Sequence, residues 1–286
     1  MCPDPGKRAL VLCGGGSRGA VEVGFHRALN ELGIRFDMIL GTSIGAFNGA
    51  MIASGMKADD IETLWKDFAL RKAVSWNWGG LLRPRQRPGL MVLDRFRRVL
   101  GDVLPRKRFE ELLVPLSVTT TSLEQGRAVY WEDHGDLIEP VIASMSLPGL
   151  FPPVILNGEQ HVDGGIANNV PLDRAQALGA TEAYVIECYC NEPCLRPPRG
   201  PIQVLTRSFS IAIDSKYHSD MAHLRREMKI IRIRPEFDNN LELLNFSKTR
   251  DLIETGYEAT MRQLTGMRTQ TVSNSASMIG QAGTSP

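Results

Sequence analysis

The length, composition and charge of the chain limit the kind of protein it encodes. Its 286 residues suit one large domain, and 43% hydrophobic with 23% charged residues is typical of a globular protein in water. The formal net charge of +1 argues against a nucleic-acid binder. No apolar run approaches the roughly 20 residues that span a bilayer, so we expect a cytoplasmic protein that at most lies peripherally on a membrane surface.

The five cysteines have no disulfide-framework spacing, which fits reduced thiols in the cytoplasm. Cys188, Cys190 and Cys194 are the candidates for metal ligands. One pair has a single-residue spacer, however, and no matching fourth ligand is evident. The sequence therefore predicts neither a metal nor a cofactor.

The chain begins with a pattern of strand, glycine loop and helix. An apolar run from Arg8 to Cys13 leads into the glycine loop, residues 14–19, and apolar residues then recur at helical spacing. Such a loop exposes backbone amides at a helix N-terminus, where it can hold a phosphate or an oxyanion. It lacks the Gly-Lys-Ser/Thr ending of a Walker loop and the clear spacing of a dinucleotide fingerprint.

The second predicted strand ends in a serine between glycines, within Gly41-Thr42-Ser43-Ile44-Gly45. A serine at such a junction can lie on a strained turn with its hydroxyl exposed, because the glycines carry no side chain. The next helix would point unpaired amides at the same spot and stabilise an oxyanion on an ester attacked by Ser43. The alternative is an ordinary turn in which the serine caps the helix.

Two amphipathic segments within residues 57–112 predict a helical cap or insertion. Ala58 to Leu70 and Leu93 to Leu104 each place apolar residues on one stripe. The segment between them is either a surface loop packed on the core or a membrane contact whose arginines meet anionic headgroups. Its candidate lipid-contacting residues are Trp76, Trp78, Leu81 and Leu82.

A predicted hairpin and a helix precede a second polar residue at a strand end. Val114 to Leu123 and Arg127 to Asp133 form the hairpin, and an apolar strand from Val154 to Val162 leads into Asp163. Two glycines follow this aspartate and clear space for another loop to approach it closely. The alternative is an Asp-Gly turn without function.

The rest of the chain alternates between helix and strand and then loses its large apolar residues. The predicted elements are, in order, a helix over 170–178, a strand over 183–187, a helix over 202–228, a strand over 229–234 and a helix over 246–264. We expect a single domain over residues 1–265 and a disordered tail over 266–286.

The histidines offer no clear third member of a hydrolase triad. Ser43 follows only two strands, whereas several strands precede the elbow of an α/β-hydrolase. His161 lies two residues before Asp163 and so on the same strand face, which makes it a candidate for contact with the site. Strand geometry aims it further back along the sheet.

Taken in order, these motifs resemble the patatin-like phospholipase family. The glycine loop is similar to the family's oxyanion loop, and the Ser43 pentapeptide to its nucleophile elbow. Residues 143–153 resemble its Ala-Ser-x-x-x-Pro-x-x-Phe-Pro block, and Asp163-Gly164-Gly165 resembles its catalytic aspartate motif. Cys13 departs from the family, which often has an aspartate or a small polar residue there.

The resemblance implies an α/β fold, a three-layer α/β/α sandwich around a mainly parallel sheet with a helical cap. It also implies a Ser-Asp dyad that hydrolyses the acyl esters of phospholipids or lysophospholipids. The implied site comprises the catalytic residues Ser43 and Asp163, the oxyanion residues Gly14, Gly15 and Gly16, and the supporting residues Arg18, Gly41, Gly45, Gly164 and Gly165. An acyltransferase with the same nucleophile and a non-catalytic phosphate-binding module are the two alternatives.

Overall fold

The structure of the chain is a computed structural model that describes residues 6–67, 75–76, 89–188, 197–224, 228–236 and 245–281. The strands are β1 (Lys7–Leu12), β2 (Met38–Thr42), β3 (Ser75–Trp76), β4 (Met91–Val92), β5 (Leu116–Ser122), β6 (Arg127–Trp131), β7 (Val154–Leu156), β8 (Glu159–Asp163), β9 (Ala180–Ile186) and β10 (Lys229–Ile233). The helices are α1 (Ala20–Glu31), α2 (Ile44–Ala53), α3 (Ala58–Asp67), α4 (Asp94–Val103), α5 (Ile138–Ser144), α6 (Gly165–Asn168), α7 (Leu172–Ala177), α8 (Pro201–Leu224) and α9 (Thr249–Gln281).

The main sheet is mixed and has the strand order β10-β9-β1-β2-β5-β8-β7, with β6 also paired to β5. Strands β10 through β5 run parallel, whereas β6 and β8 run antiparallel to β5. Every residue of β2 and of β5 is buried, so the sheet is covered on both faces. The predicted α/β fold is confirmed.

Strand β5 brings two chain segments together end to end. Its first half pairs with β2, ending at Thr42 opposite Thr119, and its second half pairs with β8, where Asp163 lies opposite Thr120. Strand β6 occupies one edge of β5 over residues that also pair with β2 or with β8. Strands β2 and β8 must therefore both lie on the other edge of β5. They run in opposite directions along that edge, so their carboxyl ends meet.

The segment predicted as one strand over 154–162 is a hairpin of β7 and β8. Asn157 and Gly158 form its turn with φ values of 50° and 84°. Asn-Gly is the preferred dipeptide for a tight hairpin turn, because both residues tolerate positive φ. The single-strand prediction was wrong, although the sequence contained the turn signal.

The two predicted helices of the 57–112 segment are present as α3 and α4. Ile61 and Trp65 of α3, and Phe96 and Leu100 of α4, belong to the main hydrophobic core. Trp76 ends β3, which pairs with β4, whereas Trp78, Leu81 and Leu82 lie outside the described residues. The cap as a separate insertion, and its lipid contact, stay predictions.

Helix α9 ends much later than the sequence predicted. We expected a helix to 264 and a disordered tail from 266, but α9 continues to Gln281. Adding residues to an existing helix requires no new nucleation, so polar residues of moderate propensity can continue it. Residues 282–286 lie outside the described part. No helix that the structure describes combines the length and the apolar character needed to cross a membrane.

Helices α1 and α9 cross in close contact through two glycines. A Cβ on Gly24 would lie 1.9 Å from Ile253 O, and one on Gly256 would lie 2.1 Å from Val21 O. Both distances are far below any real contact, so only glycine permits this approach. The C-terminal helix is thereby attached to the helix that follows the glycine loop.

Candidate active site

Ser43 occupies the sharp turn between β2 and α2. Its φ of 54° is unusual for a residue other than glycine and marks local backbone strain. A Cβ on Gly41 would lie 2.6 Å from Gly45 O, and one on Gly45 would lie 2.4 Å from Leu12 O. The two flanking glycines therefore allow the turn to pack against its own strand and against β1.

The Ser43 hydroxyl points at Asp163. Ser43 Oγ donates a 2.7 Å hydrogen bond to Asp163 Oδ2, and Gly165 N donates a 2.8 Å bond to Asp163 Oδ1. Asp163 is only 6% exposed, and this burial raises its pKa to about 6, although the two hydrogen bonds act in the opposite direction. Gly164 is equally constrained, since a Cβ there would lie 2.2 Å from Thr119 O.

The buried residue Ser144 holds the backbone of the turn at Ser43 in place. Ser43 N donates a 2.7 Å hydrogen bond to Ser144 Oγ, which in turn donates a 2.6 Å bond to Thr119 O. The elbow is thus connected through α5 to strand β5. Ser144 stands in the Ala-Ser block of the sequence, but the sequence alone indicated no role for it.

The glycine loop lies directly beside Ser43. A Cβ on Gly14 would lie 3.0 Å from Ser43 Cβ, and one on Gly15 would lie 2.9 Å from Cys188 Cβ. Gly16 has a φ of 57°, which favours glycine. Asn169 Nδ2 donates a 3.2 Å bond to Gly14 O and holds the loop against α6.

A buried polar cluster, Glu22 with Asn48, supports the loop and the elbow together. Glu22 Oε1 accepts a 2.7 Å bond from Cys13 N, the residue before the loop, and Glu22 Oε2 accepts a 2.8 Å bond from Asn48 Nδ2 on α2. Asn48 also donates to Gly19 O and accepts from Trp65 Nε1. Burial raises the pKa of Glu22 to about 8. No local sequence pattern marks this cluster, because its members lie on separate helices.

In the described part of the chain, the side chains placed closely enough to share a metal ion are not the three cysteines considered from the sequence. Cys13, Glu22 and Cys188 bring their ligand atoms within 4.8 Å of one another in the interior. These atoms already hydrogen-bond internally, with Cys188 Sγ donating to Glu22 Oε1 at 3.5 Å and Cys13 Sγ donating to Ile186 O at 3.3 Å. Cys190 and Cys194 lie outside the described residues.

An apolar pocket with a cavity volume of about 90 Å³ opens over Ser43 and Asp163. The glycine loop and Arg18 form one wall. The other walls are largely hydrophobic and include Phe96, Met145, Leu147, Phe151, Phe209 and Ile213. The last two belong to α8, for which the sequence indicated no part in the site.

His161 faces away from the pocket, as strand geometry predicted. Its Nδ1 lies 3.0 Å from Thr120 Oγ1, and its ring packs edge-on against Trp131 with centroids 5.2 Å apart. Burial lowers the pKa of His161. Its contacts are those of a structural histidine.

Comparison with known proteins gives a family for this fold and site. The model of the patatin-like phospholipase family matches residues 10–175, more than half of the chain. The chain belongs to the patatin-like phospholipase family. The match includes the glycine loop, the Ser43 elbow and the Asp163 motif, the blocks on which the resemblance was based.

Curated relatives are much longer than this chain. Lysophospholipase nte1 of Neurospora crassa is 34% identical over 179 residues, which is 62% of this chain and 12% of that protein. Patatin-like phospholipase domain-containing protein 7 of Rattus norvegicus is 35% identical over 181 residues, which is 63% of this chain and 13% of that protein. The matched region therefore spans about one eighth of either relative.

A solved structure shares the fold at low sequence identity. The crystal structure of VipD from Legionella pneumophila superposes with a TM-score of 0.52 at 18% identity, covering 92% of this chain and 67% of that one. This similarity concerns the fold alone.

Proposed function

We propose that this chain is a serine lipid acyl hydrolase that cleaves carboxylic esters of phospholipids, lysophospholipids or related lipids through an acyl-enzyme. The observation that carries the proposal is the 2.7 Å hydrogen bond from Ser43 Oγ to Asp163 Oδ2 at the base of an apolar pocket. Family membership and the lysophospholipase name of a relative support a lipid ester as the substrate.

In the proposed reaction Asp163 is the base and Ser43 the nucleophile. Ser43 Oγ forms a bond to the ester carbonyl carbon as its proton passes to Asp163 Oδ2, and the carbonyl electron pair moves to oxygen. When that pair returns, the bond to the alcohol breaks, and the alcohol leaves with the proton from Asp163. Water then attacks the acyl-serine, gives its proton to Asp163, and releases the carboxylic acid while Ser43 regains its hydrogen.

The raised pKa of Asp163 supports this role. An aspartate with its ordinary pKa of 3.8 is a weak base, and burial brings the value to about 6. The carboxylate is still ionised at neutral pH, yet it accepts a proton more readily. We therefore expect kcat/KM to rise as the pH increases and to level off above about 6.

The proposed oxyanion site is the space between the glycine loop and the N-terminus of α2. Gly14 lies against Ser43, so an oxyanion formed on the attacked carbonyl would develop close to the amides of Gly14, Gly15 and Gly16. The first amides of α2 add the positive end of a helix dipole. Arg18 lines the same pocket and adds a positive charge to it.

Covalent labelling tests the nucleophile. Treatment with a fluorophosphonate should add one phosphonyl group to the parent protein, as measured by intact mass, and none to a Ser43→Ala variant. Peptide mapping should locate the adduct at Ser43. A parent protein that binds inorganic phosphate but resists labelling would instead support a non-catalytic phosphate-binding module.

Kinetics of single and double variants test the dyad. Ser43→Ala and Asp163→Asn should each abolish hydrolysis of a short-chain ester, and the double variant should be no worse than either, because the two residues act as one unit. His161→Ala is the control and should keep most of the activity. Near-normal turnover in Asp163→Asn would refute the dyad, and turnover that depends on an added acceptor alcohol would indicate an acyltransferase.

A further inference from the structure

Helix α8 lies between the pocket and solvent, so one of its faces lines the pocket and the opposite face is exposed. Thr206, Phe209 and Ile213 line the pocket. Val204 and Ile211, seven residues apart and so on one stripe, face the other way and are 49% and 56% exposed. A helix covering a core normally has a polar outer face, so these exposed apolar residues need a separate explanation.

The charges just before this helix and in its first half are positive, whereas Asp214 and Asp220 lie further along it. Between Glu192 and Asp214 the sequence contains three arginines, Arg196, Arg199 and Arg207, and no acidic residue. In the described part, Arg199 is exposed just before the helix begins and Arg207 is half-buried within it. An apolar stripe beside arginines is the pattern of a helix that lies on an anionic lipid surface.

The position of the stripe agrees with this pattern. Helix α6 packs against α8 and adds Ile166, which is 39% exposed. Phe209 and Leu147 in the pocket wall are themselves half-exposed. Exposed apolar side chains thus occur both in the pocket wall and on the helices beside it.

We propose that Val204 and Ile211, together with Arg199 and Arg207, form a docking surface for an anionic lipid bilayer. The inference rests on the proposed lipid hydrolase function and assigns the surface from which that site takes its substrate. With the outer stripe of α8 in the interfacial region, the pocket face of the same helix lies close to the headgroups.

Vesicle binding without catalysis tests the docking surface. The Ser43→Ala protein should cosediment with vesicles of phosphatidylcholine plus phosphatidylglycerol more strongly than with phosphatidylcholine alone, and added salt should weaken the binding. The change Val204→Ser with Ile211→Ser should weaken binding about tenfold or more, because it removes the apolar stripe. Arg199→Gln with Arg207→Gln should abolish most of the preference for anionic vesicles.

The matched control changes two equally exposed apolar residues elsewhere. Leu113, in the loop before β5, and Ile155, in β7, are 62% and 60% exposed, so Leu113→Ser with Ile155→Ser should bind vesicles like the parent. In a protein with Ser43 intact, the Val204 and Ile211 changes should leave hydrolysis of a soluble short-chain ester unaltered.

Several results would overturn the docking surface. The parent could fail to bind vesicles, or the Val204 and Ile211 variant could bind them as well as the parent does. The Leu113 and Ile155 control could lose as much binding as that variant, or the variant could lose soluble-ester activity in proportion to its loss of binding. A parent dimer that this variant converts to a monomer without a change in vesicle binding would assign the stripe to a second copy of the chain. Because binding is measured without catalysis, failure of fluorophosphonate labelling would refute the proposed function independently.

Discussion

Asp163, the proposed base, is a buried carboxylate whose protonation also affects the stability of the fold. Its pKa in the folded chain, about 6, lies above the ordinary value of 3.8, so the folded state holds the proton more tightly than the unfolded state. The stability gained from that proton is fully present below pH 3.8 and is lost as the pH rises through about 6. At neutral pH the protein therefore carries an unfavourable buried charge.

We predict that Asp163→Asn raises the free energy of unfolding at neutral pH, by about 1–3 kcal/mol. Asparagine can still accept a hydrogen bond from Gly165 N and donate one to Ser43 Oγ, but it has no charge to bury. The gain over the parent should grow between pH 4 and pH 7 and be small at pH 4, as measured by urea unfolding of both proteins. A difference that does not vary with pH would mean that the Asp163 charge costs no stability.

We predict that Glu22→Ala slows hydrolysis although Glu22 touches no substrate. The change removes the acceptor for Cys13 N and for one of the two N–H groups of Asn48 Nδ2, leaves these buried donors without a partner, and frees the glycine loop to move. Because loop amides would act mainly on the transition state, kcat should fall at least about tenfold while KM changes little. The assay uses a soluble ester well below the unfolding temperature of the variant.

The control for Glu22 is an acidic residue with only exposed partners. Glu110 bonds Arg108 and Gly135 N at the surface, so Glu110→Ala should keep the parent kcat. Equal kcat for Glu22→Ala and the parent would contradict a positioning role, whatever the effect on stability.

At the scale of elements, the glycine loop packs so closely against Cys188 that a side chain at Gly15 would not fit without displacing it. We predict that Gly15→Ala lowers turnover of a soluble ester by about a hundredfold, because its Cβ would lie 2.9 Å from Cys188 Cβ and push the loop amides away from Ser43. Cys188→Gly removes the opposing atom, so the double variant should regain much of the lost rate. If it does not, the loss in Gly15→Ala has a cause other than this contact.

The crossing of α1 and α9 gives an element-scale prediction with an internal control. Gly256→Ala should lower the free energy of unfolding by about 1–3 kcal/mol or more, since its Cβ would lie 2.1 Å from Val21 O. Gly266 lies on the same helix in open space, so Gly266→Ala should instead raise it by up to about 1 kcal/mol through helix propensity. Denaturant unfolding measures both, and stabilisation by both changes would mean that α9 does not pack closely on α1.

At the scale of the whole molecule, α9 shows where the domain should end. Over residues 249–266, where the structure describes the burial of its side chains, its buried apolar residues are Leu252, Ile253, Ala259 and Leu264. We predict that a chain ending after Gly266 keeps the unfolding temperature and the soluble-ester turnover of the parent. A fall of several degrees in the unfolding temperature would place residues beyond 266 inside the folded unit.

The sequence by itself determined which residues can react and which local structures carry them. Glycine-flanked Ser43 and Asp163 at strand ends, the glycine loop and the apolar periodicities are local patterns, and local backbone physics follows from them. The fold class and the family were therefore predictable. The β7–β8 turn was equally local, and its Asn-Gly signal was available to the sequence analysis.

Only the tertiary structure decided which of these residues meet. Ser43 and Asp163 lie 120 residues apart, and they converge because β2 and β8 share one edge of β5 from opposite directions. Strand pairing of this kind depends on register across the whole chain, which no local pattern specifies. The Glu22–Asn48 cluster, the Ser144 anchor and the pocket face of α8 likewise join distant segments, so their roles emerged only once the chain was folded.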